Sequence, residues 1–138
     1  MTDHAHPLAV VSLVVADVLA SVAFYRTVGL TIADDTIYAQ DGVGHHVSVK
    51  MANGVTLDID SVELTRRYDP SVDGAPVAGR TLLSFATADR PAVDALHVAV
   101  VAAGHRSHLA PFDAFWGARY AVVLDPDGNR VGISSPTA

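Results

Sequence analysis

The stretch 124-LDPDGNRVGI-133 reads as a tight turn feeding a short strand, and its partner strand is the preceding 118-ARYAVVL-124. Pro126, Asp127 and Gly128 supply the turn chemistry, with Gly128 taking the positive φ that three-residue hairpin loops commonly require. That loop length sets the pairing: Val122 falls opposite Gly132, and Tyr120 opposite Ser134. Trp116 shares their side.

Working outward, the same pattern recurs earlier in the chain. The stretch 53-NGVTLDI-59 can be laid on 127-DGNRVGI-133, and 12-SLVVAD-17 on 84-SFATAD-89, at offsets of 74 and 72. Each half therefore holds a strand running into an Asp-capped helix and ends in a hairpin. Apolar runs rich in Val, Leu and Ile predict strands near 8–16, 45–51, 55–60, 80–87, 118–125 and 130–134. One helix is expected from Asp17 to Gly29 and another from Asp89, with Pro91 in its first turn, to Gly104. The segment 61–79 carries Pro, Gly and charge without periodicity and is expected to be a long connection. It separates a first module, about 7–60, from a second, about 80–135, within one domain spanning 1–138.

In 45-HHVSVKM-51 the alternation sends Val47, Val49 and Met51 to one sheet face and His46, Ser48 and Lys50 to the other. A three-residue loop, Ala52-Asn53-Gly54, matches that pattern to 55-VTLDID-60 and places Ser48 across from Asp58 and His46 across from Asp60. Ser12 and Ser84 share faces with Val10 and Leu82, while Val11, Leu13, Leu83 and Phe85 take the opposite faces. The face away from the helices is thus lined by small and polar groups with aromatics at one rim, the makings of a binding concavity.

Composition narrows the function classes. The chain has 138 residues, enough for one compact domain with a real core. With 9 basic against 15 acidic residues and a net charge of -6, it repels a phosphate backbone, so nucleic acid is not an expected partner. No apolar run has the length of a membrane span, and the N-terminus lacks the pattern of a signal peptide, so a cytoplasmic protein with no membrane partner is expected. The absence of cysteine removes disulfides, thiolate metal sites and thiol nucleophiles.

The opening 8-LAVVSLVVADVLASVAFYRTVGLTI-32 and the closing 116-WGARYAVVLDPDGNRVGI-133 resemble those of the vicinal-oxygen-chelate superfamily, and the likeness spans nearly the whole chain. The resemblance implies an α+β fold of two βαβββ modules whose curved mixed sheets form cups, shared or completed between the chains of a homodimer. The superfamily includes glyoxalase, ring-cleaving dioxygenases, fosfomycin-modifying transferases, epimerases and drug-sequestering proteins such as those for bleomycin. Its enzymes hold a divalent metal on the first and last strands of each module, positions that fall here on Val10, Asp58, Leu82 and Gly132. Only Asp58 can ligate, and such sites need about three protein ligands. Neither a metal nor another cofactor is therefore expected, and Gly132→Glu is expected to recover part of a site.

The residues are accordingly read as those of a binding protein rather than an enzyme. It resembles the bleomycin-resistance type and sequesters an aromatic small molecule, with antibiotics among the candidates, without a metal. The expected ligand-binding residues are Trp116, Tyr120, Phe112, Phe115, His46, Ser48, Asp58, Ser12 and Ser84. The alternative is a glyoxalase- or dioxygenase-like enzyme of the same fold, a lyase, isomerase or oxygenase. It would use His46 with Asp58 or Asp60 as an acid/base pair or a relocated metal site. A structural or regulatory dimer is the third class. His4, His6, His97, His105 and His108 are assigned to the terminus, surface or core, Arg119 to a surface or interface ion pair, and Asp125 and Asp127 to turn formation. Tyr38 and Tyr68 lie in segments whose strand phase the pattern does not fix.

Overall fold

The computed structural model describes residues 5–72 and 81–137; His4, the end of the expected connection (73–79) and residue 80 lie outside them. In chain order the elements are β1 (Val10–Val15), α1 (Val18–Thr27), a 3-10 turn (Asp34–Thr36), β2 (Tyr38–Gln40), β3 (Val43–Lys50), β4 (Thr56–Ser61) and α2 (Val62–Tyr68). Then follow β5 (Leu82–Ala86), α3 (Arg90–Ala102), β6 (Arg106–Asp113), β7 (Arg119–Leu124) and β8 (Arg130–Ser134). The strands make two four-stranded mixed sheets, ordered β1-β4-β3-β2 and β5-β8-β7-β6. In each, the first and last strands of the βαβββ run pair in parallel and the remaining pairs are antiparallel. The fold is α+β, as the resemblance implied. Among the described residues no helix is long and apolar enough to cross a membrane.

The chain clusters into two compact units, one of Met1–Leu19 with Thr31–Pro76 and one of Ala20–Leu30 with Val77–Ala138. In the first, the loop Ala52-Asn53-Gly54 has the expected length: Met51 N–H donates to Val55 O at 2.9 Å, and Gly54 takes a φ of 93°. His46 pairs with Asp60 and Ser48 with Asp58. Val47, Val49, Leu57 and Ile59 are buried on the other face of this sheet. Loop length and alternation determine this register together, because a slip of one residue would turn the valines to the polar side.

The second unit repeats the arrangement. Its hairpin closes through Asp125 N–H to Asn129 O at 3.0 Å, and Val122 pairs with Gly132 and Tyr120 with Ser134. Helix α3 begins where its signals place it, with the Asp89 carboxylate accepting from Ala92 N–H at 2.9 Å and Pro91 in the first turn. It packs on β6, β7 and β8, and Val93 and Val100, two turns apart, are fully buried. Phe24 and Tyr25, from the part of α1 in this unit, are also fully buried, and their rings meet edge to face at 4.9 Å.

Asp125 does more than form a turn. Its carboxylate is 1% exposed and accepts from Asp127 N–H at 3.0 Å, Asn129 N–H at 2.8 Å, Asn129 Nδ2 at 3.0 Å and the Tyr25 hydroxyl at 2.9 Å. Burial, then the charge of Asp125, pushes the Tyr25 hydroxyl well above its ordinary range, so it remains a proton donor.

Two strands and one α-helix were not foreseen. The strands β2 and β6 lie at sheet edges, where Gln40 and most of β6 are exposed and carry little apolar alternation. Helix α2 occupies the start of the segment expected to be connection. Its signals are present in 61-SVELTRRY-68: Ser61 Oγ accepts from Leu64 N–H at 3.0 Å, Glu63 lies in the first turn, and Arg66 and Arg67 lie in the last.

Candidate functional site

Each unit presents a distinct chemical surface on the face of its sheet that carries the polar residues. In the first unit, Ser12 on β1 stands opposite Asp58, the next residue pair along β4 and β3 brings in His46 and Asp60, and α2 closes one side. The resulting cleft, of about 480 Å³, is lined by Ser12, Tyr38, His46, Asp58, Asp60, Leu64 and Tyr68. Tyr38 and Tyr68, whose phase the sequence left open, both reach it. Leu64 was missed because its helix was missed.

The hydrogen bonds in this cleft form a chain. His46 Nδ1 lies 2.5 Å from Asp60 Oδ1, and His46 Nε2 lies 3.2 Å from Ser48 Oγ. Ser48 in turn donates to Asp58 Oδ1 at 2.6 Å. The Asp60 side chain is 8% exposed and that of His46 36%. The ligand atoms of His46, Asp58 and Asp60 all lie within 4.8 Å of one another. Such a set can hold a cation or, as a carboxylate-oriented imidazole, can give and take a proton.

In the second unit the surface is aromatic. Tyr120 meets Phe112 at 5.9 Å and Trp116 at 5.3 Å between ring centroids, and Trp116 meets Phe115 at 5.1 Å, all in edge arrangements. The four rings are continuous, and Trp116 and Phe115 remain 45% and 98% exposed. Ser84, paired with Gly132 across β5 and β8, lies beside Tyr120 at the foot of this group. The predicted residues thus fall into two groups: Ser12, His46, Ser48 and Asp58 in one unit, and Ser84, Phe112, Phe115, Trp116 and Tyr120 in the other.

Gly132 is closely packed. A Cβ built there would fall 2.6 Å from the Tyr120 hydroxyl and collide with Ser84 Oγ. These two groups occupy the space that an acidic side chain would enter, so Gly132→Glu recovers part of a metal site only if both side chains move aside. Val10 and Leu82 are 46% and 43% exposed hydrocarbons and donate no lone pair. The positions at which the resemblance places a metal do not fit one.

His45 was overlooked in the sequence. It lies 5% exposed in a second cavity of the first unit, about 590 Å³, with Asp17, Glu63 and Arg66 also in the lining. Its Nδ1 is 2.8 Å from Ser61 Oγ, the group that caps α2, which makes it a structural support for that helix. The signal available was the His-His pair itself, since two neighbours on a strand must face opposite ways. Arg119 makes the expected ion pairs, with Asp94 at 3.1 Å and Asp113 at 3.2 Å; the hydrogen bond to Asp94 raises its pKa further.

The architecture recurs in solved structures. A glyoxalase-related enzyme from Fulvimarina pelagi aligns with a TM-score of 0.77 and 24% identity, over 94% of this chain and 88% of the other. Lactoylglutathione lyase from Agrobacterium tumefaciens aligns with a TM-score of 0.67 and 19% identity, over 99% and 97%. TioX from Micromonospora sp. ML1 aligns with a TM-score of 0.62 and 18% identity, over 94% and 98%. At these identities the likeness is one of fold. A search of curated proteins gives no match. The model of one family does match, over residues 6–133, and with the two βαβββ runs it shows that the chain belongs to the Glyoxalase/Bleomycin resistance protein/Dioxygenase superfamily.

Proposed function

We propose that the protein binds and sequesters a planar aromatic small molecule, with antibiotics among the candidates, on the aromatic surface of its second unit. The observation that carries this is the run Phe112, Tyr120, Trp116 and Phe115, four rings in contact, with Phe115 almost wholly in water and Trp116 nearly half exposed. Exposed aromatic rings grouped in this way gain most when another flat apolar surface removes water from them. Nothing in this surface calls for the family's metal. The acidic balance of the chain favours neutral or cationic ligands over anionic ones.

Trp116 is the only tryptophan, so its emission reports this surface without interference. A panel of neutral and cationic polycyclic compounds, beginning with proflavine, should include members that quench or shift that emission. Trp116→Ala should then weaken their binding, followed by calorimetry, by about 1–3 kcal/mol while the fold is retained. An unchanged affinity in a folded variant would remove Trp116 from the site and the stacking proposal with it.

The working form is proposed to be a cytoplasmic homodimer. Among the described residues one sheet ends in β1 and β2 and the other in β5 and β6, and contact between copies is one way of covering such edges. Light scattering should give twice the chain mass at micromolar concentration, and a monomer throughout that range would refute it. One observation favours a second function, proton transfer by an enzyme of this fold: the Asp60 carboxylate held 2.5 Å from His46 Nδ1. That pair has the form of an oriented acid/base.

A further inference from the structure

We propose that His46, Asp58 and Asp60 bind one divalent first-row transition-metal ion in the cleft of the first unit, in a ligand set that shares only Asp58 with the positions at which the resemblance places the family's metal. The proposal stands apart from the aromatic surface and uses none of its residues.

The cleft already brings nitrogen and oxygen donors together. The Ser48 hydroxyl donates to Asp58 Oδ1, and Ser48 Oγ lies 3.2 Å from His46 Nε2. His46 Nδ1 faces the Asp60 carboxylate oxygen at 2.5 Å, so an imidazole nitrogen and a carboxylate oxygen converge on one point, where a proton or a metal ion is shared by both.

Charge balance favours the metal over the proton. Asp58 and Asp60 bring two negative charges, Asp60 is largely removed from water, and the residues lining the cleft include no lysine or arginine. An imidazolium would offset one of these charges, and a dication offsets both. The geometry is permissive as well. Ligands about 2.0–2.2 Å from one ion stand roughly 3–3.5 Å apart, and the three donors, already within 4.8 Å of one another, reach that by small side-chain rotations. They stand on adjacent strands in fixed register, His46 beside Asp60, and Ser48 holds both His46 and Asp58 from behind.

One imidazole and two carboxylates without thiolate suit zinc, manganese, iron(II), cobalt or nickel. Magnesium and calcium prefer oxygen alone, and copper(I) prefers sulfur. Three protein donors also leave coordination positions free for water or a small oxygen ligand, the pattern of a working site rather than a purely structural one.

Calorimetric titration of the full chain, stripped with chelator, should show one zinc(II) bound per chain and no comparable binding of magnesium. His46→Gln and Asp58→Asn, each checked for an unaltered circular-dichroism spectrum, should weaken zinc at least 100-fold. Ser48→Ala, which only orients the ligands, should weaken it by about tenfold. A His4→Gln, His6→Gln double variant should bind as the parent does, which separates the cleft from the terminal histidines. No stoichiometric zinc in the parent, or zinc binding indifferent to both ligand variants, would overturn the proposal. Because the ion itself is measured, failure here leaves the aromatic surface untouched, and loss of Trp116 quenching leaves the ion site untouched.

Discussion

Asp125→Ala should lower the stability of the folded chain by about 3–5 kcal/mol in urea unfolding, the order expected when a buried charge network loses its central member. The carboxylate is the shared acceptor for the Tyr25 hydroxyl, the Asp127 and Asn129 backbone N–H groups and the Asn129 side-chain amide. Alanine leaves all of these without an acceptor. The Tyr25 hydroxyl suffers most, because its ring is fully buried and its proton is held firmly. Asp125→Asn keeps one oxygen and should lose about half as much. A loss under about 1 kcal/mol for the alanine variant would mean that water replaces the carboxylate and that Asp125 is only a turn former.

Phe24→Ala should be comparably damaging, about 3–5 kcal/mol, which for a domain of this size corresponds to a melting temperature lower by about 10–20 °C. The ring is 0% exposed and meets Tyr25 at 4.9 Å and His105 at 5.0 Å, both edge to face. Its removal forfeits the burial, leaves a cavity and loosens the ring that presents the Tyr25 hydroxyl to Asp125. Leu19→Ala, on the same helix but at a position 44% exposed, should cost far less. Calorimetric melting of the two variants makes the comparison. A Phe24→Ala protein melting within about 3 °C of the parent would show that the site collapses without cost.

The parts of the fold that could be read in the sequence are those in which two independent constraints agree. Alternation alone allows two registers for each hairpin, and loop length alone says nothing of faces. Together they place His46 beside Asp60 and Val122 beside Gly132, as the structure does. Helix α3 was legible because Asp89, Pro91 and Gly104 bracket it. Strand β6 was not. It runs Arg106–Asp113 at a sheet edge, mostly exposed and with Pro111 inside it, so neither burial nor propensity marks it. The sites divide in the same way. The neighbours of His46 on β4 followed from register, whereas Leu64 and Tyr68 arrive on a short helix that carries end signals but little apolar period. Gly132 shows a different limit: an alignment can say which side chain is missing, but only packing shows that Tyr120 and Ser84 occupy its place.

The bond between Tyr25 and Asp125 joins residues 100 positions apart. Closing a flexible loop of that length costs about 4 kcal/mol in chain entropy before any contact repays it. The helix that bears Tyr25 leaves the ribosome before the hairpin at 124–133, and its hydroxyl waits for that hairpin to supply an acceptor. A contact this long in range is expected to form in the closing steps of folding, so that weakening it speeds unfolding more than it slows folding. On that expectation the hairpin at 124–133 acts as a latch, and the lifetime of the folded state should shorten when Asp125 is replaced.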